Sequence, residues 1–114
     1  MERERLLSYI LDSFPYPVLF VDSNHIIRYL NKYAEYFYYQ ERGYSNLIGE
    51  SIFSCHNDKS KEKIIAGAEK LKNHAMEIYL GVNSKNHRVY MQAVRNEEGE
   101  MEGYIQRFEM NLQK

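Results

Sequence analysis

The chain has 114 residues, of which 44% are hydrophobic and 27% charged, and its formal net charge is −1. This composition is typical of one globular domain and unlike that of a disordered chain. A nearly neutral chain offers no basic surface for nucleic acid, and no apolar run approaches the roughly 20 residues of a membrane span.

The N-terminal segment predicts an amphipathic helix over residues 2–13, which Pro15 ends. It lacks the apolar core and the cleavage site of a secretory signal. Leu7, Ile10 and Phe14 are spaced by three and four residues, which suits a helix seam. Because so short a helix is not stable alone in water, its stripe must cover the domain's own sheet or meet a second chain. We expect the second arrangement, a homodimer formed through these three residues.

Five segments have the apolar or alternating patterns of β-strands. They lie at residues 17–22, 26–31, 75–82, 87–95 and 101–110. Together with the helices, they predict an α+β fold, a five-stranded antiparallel sheet with helices on one face. A slip of one residue would exchange the two faces of a strand. The predicted core is Val18, Phe20, Ile27, Tyr29, Ala34, Phe37, Leu47, Ile48, Ile64, Ile65, Leu71, Ile78, Leu80, Val89, Met91 and Ile105.

Two helices are predicted between the second and third strands. Asn31 is expected to cap the first, over residues 32–41, and Asn57 or Asp58 the second, over residues 58–73. At helical spacing, one side of the first helix carries Ala34, Phe37 and Tyr38 and should meet the sheet. Tyr36 and Tyr39 lie on the opposite side, where they either form an aromatic interaction patch or cover neighbouring loops.

The chain's only cysteine, Cys55, is followed by His56 and Asn57 in the stretch SIFSCHNDKS. A single thiol is typical of a reducing, cytoplasmic environment. These residues precede the helix 58–73, whose N-terminus should lower the pKa of the thiol and favour the thiolate. We therefore expect them at the mouth or wall of a pocket between this helix and the sheet. The alternatives are that Cys55 is a small apolar plug, or that it serves a ligand-carrying or redox-active protein as a nucleophile.

Enzyme signatures are absent from the sequence. There is no nucleophile elbow, no Gly-rich phosphate loop and no zinc-binding helix motif. The four histidines lie far apart, without the spacing of metal ligands. We therefore expect neither an enzyme nor a metal site.

Three stretches of the sequence resemble a PAS domain: ILDSFPYPVLFVDSNHIIRYLNKYAEYF, GYSNLIGESIF and AVRNEEGEMEGYIQRF. The resemblance covers residues 9–110 and implies a PAS-like domain over residues 15–114, preceded by a flanking helix over residues 1–14. The matching positions are Asn31, Ala34, Phe37, Gly43, Tyr44, Leu47, Ile48, Gly49, Ser51, Asn96, Glu97, Gly99, Gly103 and Ile105.

The resemblance implies a sensory or interaction module rather than an enzyme. Such domains hold a small ligand or cofactor between the sheet and the helices. They signal to a partner protein through flanking helices and dimer contacts, and many have no cofactor. Together with the single thiol, these implications lead us to expect a cytoplasmic signal-transduction module that forms a homodimer.

The same resemblance bears on cofactors. Flavin-binding photosensors of the family carry an NCRFLQ-like segment, and SCHNDKS lacks its arginine, phenylalanine and glutamine, so flavin is not expected. Haem-binding members use a histidine on the long helix, and the helix 58–73 contains none. Cys55 or His56 could serve as the axial ligand of haem instead. The pair also resembles a prokaryotic subgroup with a Cys–His pair at this point, sometimes fused to haemerythrin-like domains.

Overall fold

The structure is a computed structural model that describes residues 1–112. The predicted α+β fold is confirmed, although the last two residues of the predicted domain range 15–114 lie outside the described part. No helix within it is long and apolar enough to cross a membrane. The elements are α1 (Arg3–Asp12), β1 (Val18–Asp22), β2 (Ile27–Leu30), α2 (Lys32–Glu35), a π-helix (Tyr36–Glu41), a 3₁₀ helix (Ile52–Cys55), α3 (Asp58–Lys72), β3 (Glu77–Val82), β4 (His87–Arg95) and β5 (Met101–Met110).

The five strands form one sheet in the order β2–β1–β5–β4–β3, and every neighbouring pair is antiparallel. The first and last strands of the chain therefore lie side by side in its middle. α3 packs across β3 and β4, where Gly67 brings the helix close to the sheet. A Cβ atom at Gly67 would lie 2.8 Å from the sulfur of Met91. We call the sheet face under α3 the inner face.

In β1, β2 and β5, one predicted core residue lies on the outer face of the sheet, and a neighbouring residue is buried instead. Leu19 and Val21 of β1 are fully buried, and Phe20 between them is only half-buried. Tyr29 and Ile105, the register partners of Phe20, share its outer face. Two further corrections lie outside the sheet, since Ile48 and Ile65 are exposed. Two other predicted core residues, Ile78 and Leu80, are only half-buried, although they pack against the core. The other predicted core residues are buried.

The helix predicted over residues 32–41 is not a single α-helix. Asn31 caps α2 as expected, because its Oδ1 atom accepts a hydrogen bond from the Ala34 N–H at 2.9 Å. From Tyr36 onwards the chain continues as a π-helix, whose wider turns are frequent at functional sites. Phe37 and Tyr38 are buried as predicted. Tyr39 covers a neighbouring loop, since its hydroxyl accepts a hydrogen bond from the Leu47 N–H at 3.1 Å.

Asn31 joins four segments of the chain. Its Oδ1 atom also accepts a hydrogen bond from the Val18 N–H of β1 at 3.0 Å. Its Nδ2 group donates to the carbonyl of Leu11 in α1 at 3.0 Å and to that of Tyr16 at 3.1 Å. The side chain is fully buried and uses its whole hydrogen-bonding capacity. We call this arrangement the Asn31 junction.

Candidate functional site

A cavity of about 400 Å³ lies between the inner face of the sheet and the helical segments. Its volume falls in the range of about 300–1,000 Å³ that is usual for small-molecule pockets. The wall combines apolar side chains with a set of basic and amide groups. Its lining residues are Phe37, Tyr38, Arg42, His56, Asn57, Ser60, Lys63, Ile64, Leu80, Gly81, Val82, Asn83, Ser84, Lys85, Val89, Gln106 and Phe108.

His56 lies in this wall in a defined tautomer. Its Nδ1 atom is 2.8 Å from the carbonyl oxygen of Ile52, and because a carbonyl only accepts, Nδ1 carries the proton. Burial lowers the pKa of His56, and the nearby Arg42 guanidinium lowers it further, whereas the Ile52 hydrogen bond raises it. The imidazole is therefore neutral at pH 7, and its Nε2 atom keeps a free lone pair.

Cys55 does not line the cavity. It is fully buried in the core, and its sulfur donates a hydrogen bond to the Ile52 carbonyl at 3.2 Å. Burial raises the pKa of the Cys55 thiol to about 11, although Arg42 and a backbone hydrogen bond lower it. This direction is opposite to the expected effect of the helix N-terminus, because burial of the thiol disfavours the charged thiolate. The neutral thiol is a poor nucleophile, which removes support for the redox-active alternative.

Asn57 is placed at the wall by its role in α3. Its side chain accepts a hydrogen bond from the Ser60 N–H at 2.8 Å, which confirms Asn57 as the N-cap. Both residues line the cavity, so the positive end of the α3 dipole lies at its edge. Of the three residues predicted for this pocket, His56 and Asn57 therefore line it, whereas Cys55 lies in the hydrophobic core.

Gln106 is a cavity residue that the sequence analysis missed. It lies on β5 between Leu19 and Met91, with only 3% of its surface exposed. Within residues 1–112, its Oε1 atom has no hydrogen-bond partner. A buried acceptor without a partner costs about 1–3 kcal/mol. A polar residue at an inward position of a strand was the one sequence signal that could have identified it.

Arg42 follows the π-helix and carries a positive charge at the wall. Its guanidinium carbon lies 5.8 Å, 5.8 Å and 5.3 Å from the ring centres of Phe37, Tyr38 and Tyr44. No carboxylate of residues 1–112 forms an ion pair with it. No pattern in the sequence predicted this position, because it depends on the wider turn of the π-helix.

A second, larger groove of about 700 Å³ lies on the outside of the π-helix. Its walls are largely proline and tyrosine side chains, including Tyr36, of which 59% is exposed. Phe37 and Lys85 line both this groove and the cavity, so they form the partition between the two spaces. Lys85 is held there by an ion pair of 3.1 Å to Glu41.

The predicted dimer residues lie apart from the cavity. Leu7, Ile10 and Phe14 are 50%, 48% and 49% exposed, and α1 has no buried residue. About half of the surface of each side chain is therefore exposed in the single chain. The Asn31 junction connects this helix to β1, which pairs with β5 beside Gln106.

Comparison with known proteins gives the family. A sequence model described as "PAS domain" matches residues 7–109, and no curated protein matches the chain. A C-terminal domain from Streptococcus mutans superposes with a TM-score of 0.76 at 22% identity, covering 94% of this chain and 84% of that one. A PAS domain from Colwellia psychrerythraea gives a TM-score of 0.71 at 16% identity, with coverages of 96% and 97%.

A third similar structure is the Aer2 receptor of Vibrio cholerae, described as a dual PAS-heme oxygen sensor. Its TM-score is 0.57 at 20% identity, and the superposition covers 81% of this chain and 90% of that one. All three superpose on most of this chain with TM-scores above 0.5, which shows that they share its fold. Since the family model matches 103 of the 114 residues, from 7 to 109, the chain belongs to the PAS domain family.

Proposed function

We propose that the chain is a sensory module that binds a small ligand in the cavity and signals through dimer contacts of α1. His56 and Asn57 belong to the binding wall in this proposal. The observation that carries it is the buried Oε1 atom of Gln106, which has no partner within residues 1–112. A buried acceptor without a partner lowers the stability of the folded protein, and a ligand that donates a hydrogen bond to it would restore that stability.

The family supports a sensory function in its coarser form. PAS domains act as sensory modules in kinases and receptors, and they are generally not catalytic. A cytoplasmic location, a homodimer and a signalling partner protein are the finer parts of our proposal. They rest on the composition of the chain and on the surface of α1.

A path of direct contacts supports signalling from the cavity to α1. Gln106 is the register partner of Leu19 in β1. The N–H of the preceding residue, Val18, donates to Asn31, which in turn donates to the carbonyl of Leu11 in α1. A ligand that displaces β5 against β1 therefore acts on the hydrogen bonds that hold the end of α1.

The dimer part of the proposal is tested by replacing Leu7 and Ile10 together with aspartate. Both side chains are about half exposed, at 50% and 48%, so the folded monomer should tolerate the change. Light scattering should give a dimer mass for the native chain and a monomer mass for the double variant. Lys72→Asp, an exposed position in the last turn of α3, is the charge-matched control and should remain dimeric. An unchanged mass for the folded double variant would contradict the proposal.

Haem is a second candidate occupant, because His56 has the tautomer of a metal-ligating histidine. Its Nδ1–H group donates to a backbone carbonyl and its Nε2 atom is free. Haem bound there would supply an iron centre able to bind a gas. The fit is only partial, because a porphyrin ring offers no hydrogen-bond donor to the buried Gln106 Oε1 atom.

Absorbance spectroscopy separates the two occupants. If haem is the ligand, the protein mixed with haemin should develop a Soret band that His56→Ala abolishes. Cys55→Ser should leave that band unchanged, because Cys55 does not line the cavity. A spectrum without a saturable Soret shift removes haem and leaves the small-molecule proposal.

A further inference from the structure

We infer that the ligand of the cavity is a small organic anion, with one carboxylate, an apolar body and a hydrogen-bond donor at the end away from the carboxylate. The inference rests on the proposed function, since it assigns a chemical class to the ligand of the same cavity. Three independent features of the wall support it: its charge, its buried acceptors and its apolar surface.

The charge of the wall is entirely basic. Arg42, Lys63 and Lys85 line the cavity, and none of the lining residues is aspartate or glutamate. Lys85 is neutralised by Glu41, and among residues 1–112 Lys63 donates only to the carbonyl of Leu80, at 3.4 Å. Arg42 has no carboxylate partner within residues 1–112. Its planar guanidinium, backed by three aromatic rings, suits the two oxygens of a carboxylate.

The buried polar groups of the wall require a donor. The Gln106 Oε1 atom is buried and accepts no hydrogen bond from any described residue. His56 is neutral with its proton on Nδ1, so its Nε2 atom is also an acceptor. An inorganic anion such as sulfate offers neither group a hydrogen bond. A hydroxyl or amino group on the ligand does, which makes a hydroxy or amino acid the matching class.

The apolar surface of the wall determines the body of the ligand. Ile64, Val89 and Phe108 are buried core residues that also line the cavity. Contact with them is favourable for a hydrocarbon or aromatic segment and gives no gain to a fully polar metabolite. The cavity of about 400 Å³ is large enough for a drug-sized molecule or a smaller one.

The test uses NMR spectra of the ¹⁵N-labelled full chain titrated with matched ligands at millimolar concentrations. The acids are 4-hydroxyphenylacetate, 3-(4-hydroxyphenyl)propionate and 6-hydroxyhexanoate, each of which carries its hydroxyl at the end away from the carboxylate. Each is compared with its neutral amide and with the acid that lacks the hydroxyl. We expect at least one hydroxy acid to shift the side-chain amide signal of Gln106 and the backbone signals of Asn57 and Ser60. Its amide and its deoxy analogue should each bind on the order of tenfold more weakly.

Variants assign each preference to one group. Arg42→Gln should remove the preference for acid over amide and leave the preference for the hydroxyl. Gln106→Leu should do the reverse, with Gln106→Met as a second replacement if the leucine variant does not fold. Such a cycle isolates each pairwise contact. Lys59→Gln, an exposed α3 residue outside the cavity, removes the same charge as Arg42→Gln and should change neither preference.

Two results overturn the inference in different ways. If the amides bind the cavity as tightly as the acids, the anion assignment is wrong and the proposed sensory pocket remains. If no acid, no amide and no haemin perturbs the signals of the lining residues, both the inference and the proposed ligand site are wrong.

Discussion

Two buried polar side chains in residues 1–112, Asn31 and Gln106, have opposite hydrogen-bonding states. Asn31 makes four hydrogen bonds and holds α1, β1 and α2 together. The Oε1 atom of Gln106 makes none with the described residues. The first residue therefore contributes to the stability of the fold, whereas the second reduces it while the cavity has no ligand.

Replacing these two residues should have opposite effects on the free energy of unfolding. Asn31→Ala leaves several buried backbone groups unpaired and should cost about 3 kcal/mol or more. Gln106→Leu removes an unsatisfied acceptor at similar volume, and should change the free energy by less than about 1 kcal/mol or increase it. Urea denaturation of the ligand-free protein measures both. A large loss for Gln106→Leu would mean that its side chain has a structural partner.

His56 should make the stability of the protein depend on pH. Burial lowers its pKa in the folded state below the ordinary value of 6.5, so the unfolded chain binds the proton more tightly. Its contribution to stability is full above pH 6.5 and is lost as the pH falls through the folded-state pKa. The groups nearest to it are the Cys55 thiol, which is neutral over this range, and the Arg42 guanidinium, which stays charged.

Urea denaturation tests this dependence at two pH values. The first, about pH 7.5, lies above the ordinary histidine pKa of about 6.5, and the second lies at least about one unit below it. The native chain should lose more stability on acidification than His56→Gln, which cannot gain the proton. His74→Gln is the matched control, because His74 is exposed and should leave the native dependence unchanged. Equal pH dependence of the native chain and His56→Gln would contradict the argument.

At the scale of the elements, the sequence was sufficient for the strand positions but not for every strand face. β1 reads Val18, Leu19, Phe20, Val21, which is apolar at every position, so alternation could not select the inner pair. In β5, the more apolar Ile105 was assigned to the core, whereas the polar Gln106 lies inside. This exception occurs at the wall of the cavity, where a polar side chain takes the place of an apolar core residue.

The candidate site was only partly predictable for a related reason. His56 and Asn57 were identifiable because a helix cap has a local sequence pattern. Arg42 was not, because its position follows from a π-helix, and the sequence over residues 32–41 indicated an ordinary α-helix. The burial of Cys55 depends on the packing of a 3₁₀ helix against the core, which no local pattern encodes.

The central pair of strands depends on a glycine in β5. A Cβ atom at Gly103 would lie 2.2 Å from the carbonyl oxygen of Val21 in β1, and its φ of +157° is unfavourable for other residues. Gly103→Ala should therefore cost about 3 kcal/mol or more. Gly99→Ala is the control, because Gly99 also has a positive φ, of +81°, but open space around it.

The loss for Gly99→Ala should be only about 1 kcal/mol, which is the cost of the backbone conformation alone. Thermal denaturation of the two variants measures the difference. Equal losses would show that the contact between β1 and β5 has room for a methyl group.

At the scale of the whole molecule, α1 is attached to the domain mainly at its C-terminal end. Leu11 and Asp12 hold this end by hydrogen bonds, Asp12 accepting from the Lys32 N–H at 2.8 Å, and the Ser8 side chain further along the helix lies within hydrogen-bonding reach of Tyr29 in β2. The rest of the helix has no buried residue, and its apolar side chains are about half exposed. The domain should therefore fold without most of the helix.

A chain that lacks residues 1–10 should keep a cooperative unfolding transition and lose only part of its stability, because its removed side chains are only half-buried. It should also be a monomer. A chain that lacks residues 1–16 also loses Leu11 and Tyr16, the two carbonyl partners of Asn31, and should be much less stable. Calorimetry and light scattering of both chains check these outcomes. An unfolded 1–10 deletion would contradict this view of α1.

The Asn31 junction also has a mechanical consequence. α1 has 10 residues and, at 1.5 Å per residue, is about 15 Å long. If it rotates about its C-terminal end, the displacement is largest at its N-terminal end. A rotation of about 5° at the pivot moves the far tip by roughly 1 Å, which is comparable to helix shifts at switching interfaces. In the proposed signalling mechanism, the side-chain amide of Asn31 is therefore the pivot, and a displacement of β1 moves α1 by an amount that increases from Ile10, beside the pivot, to Arg3 at the tip.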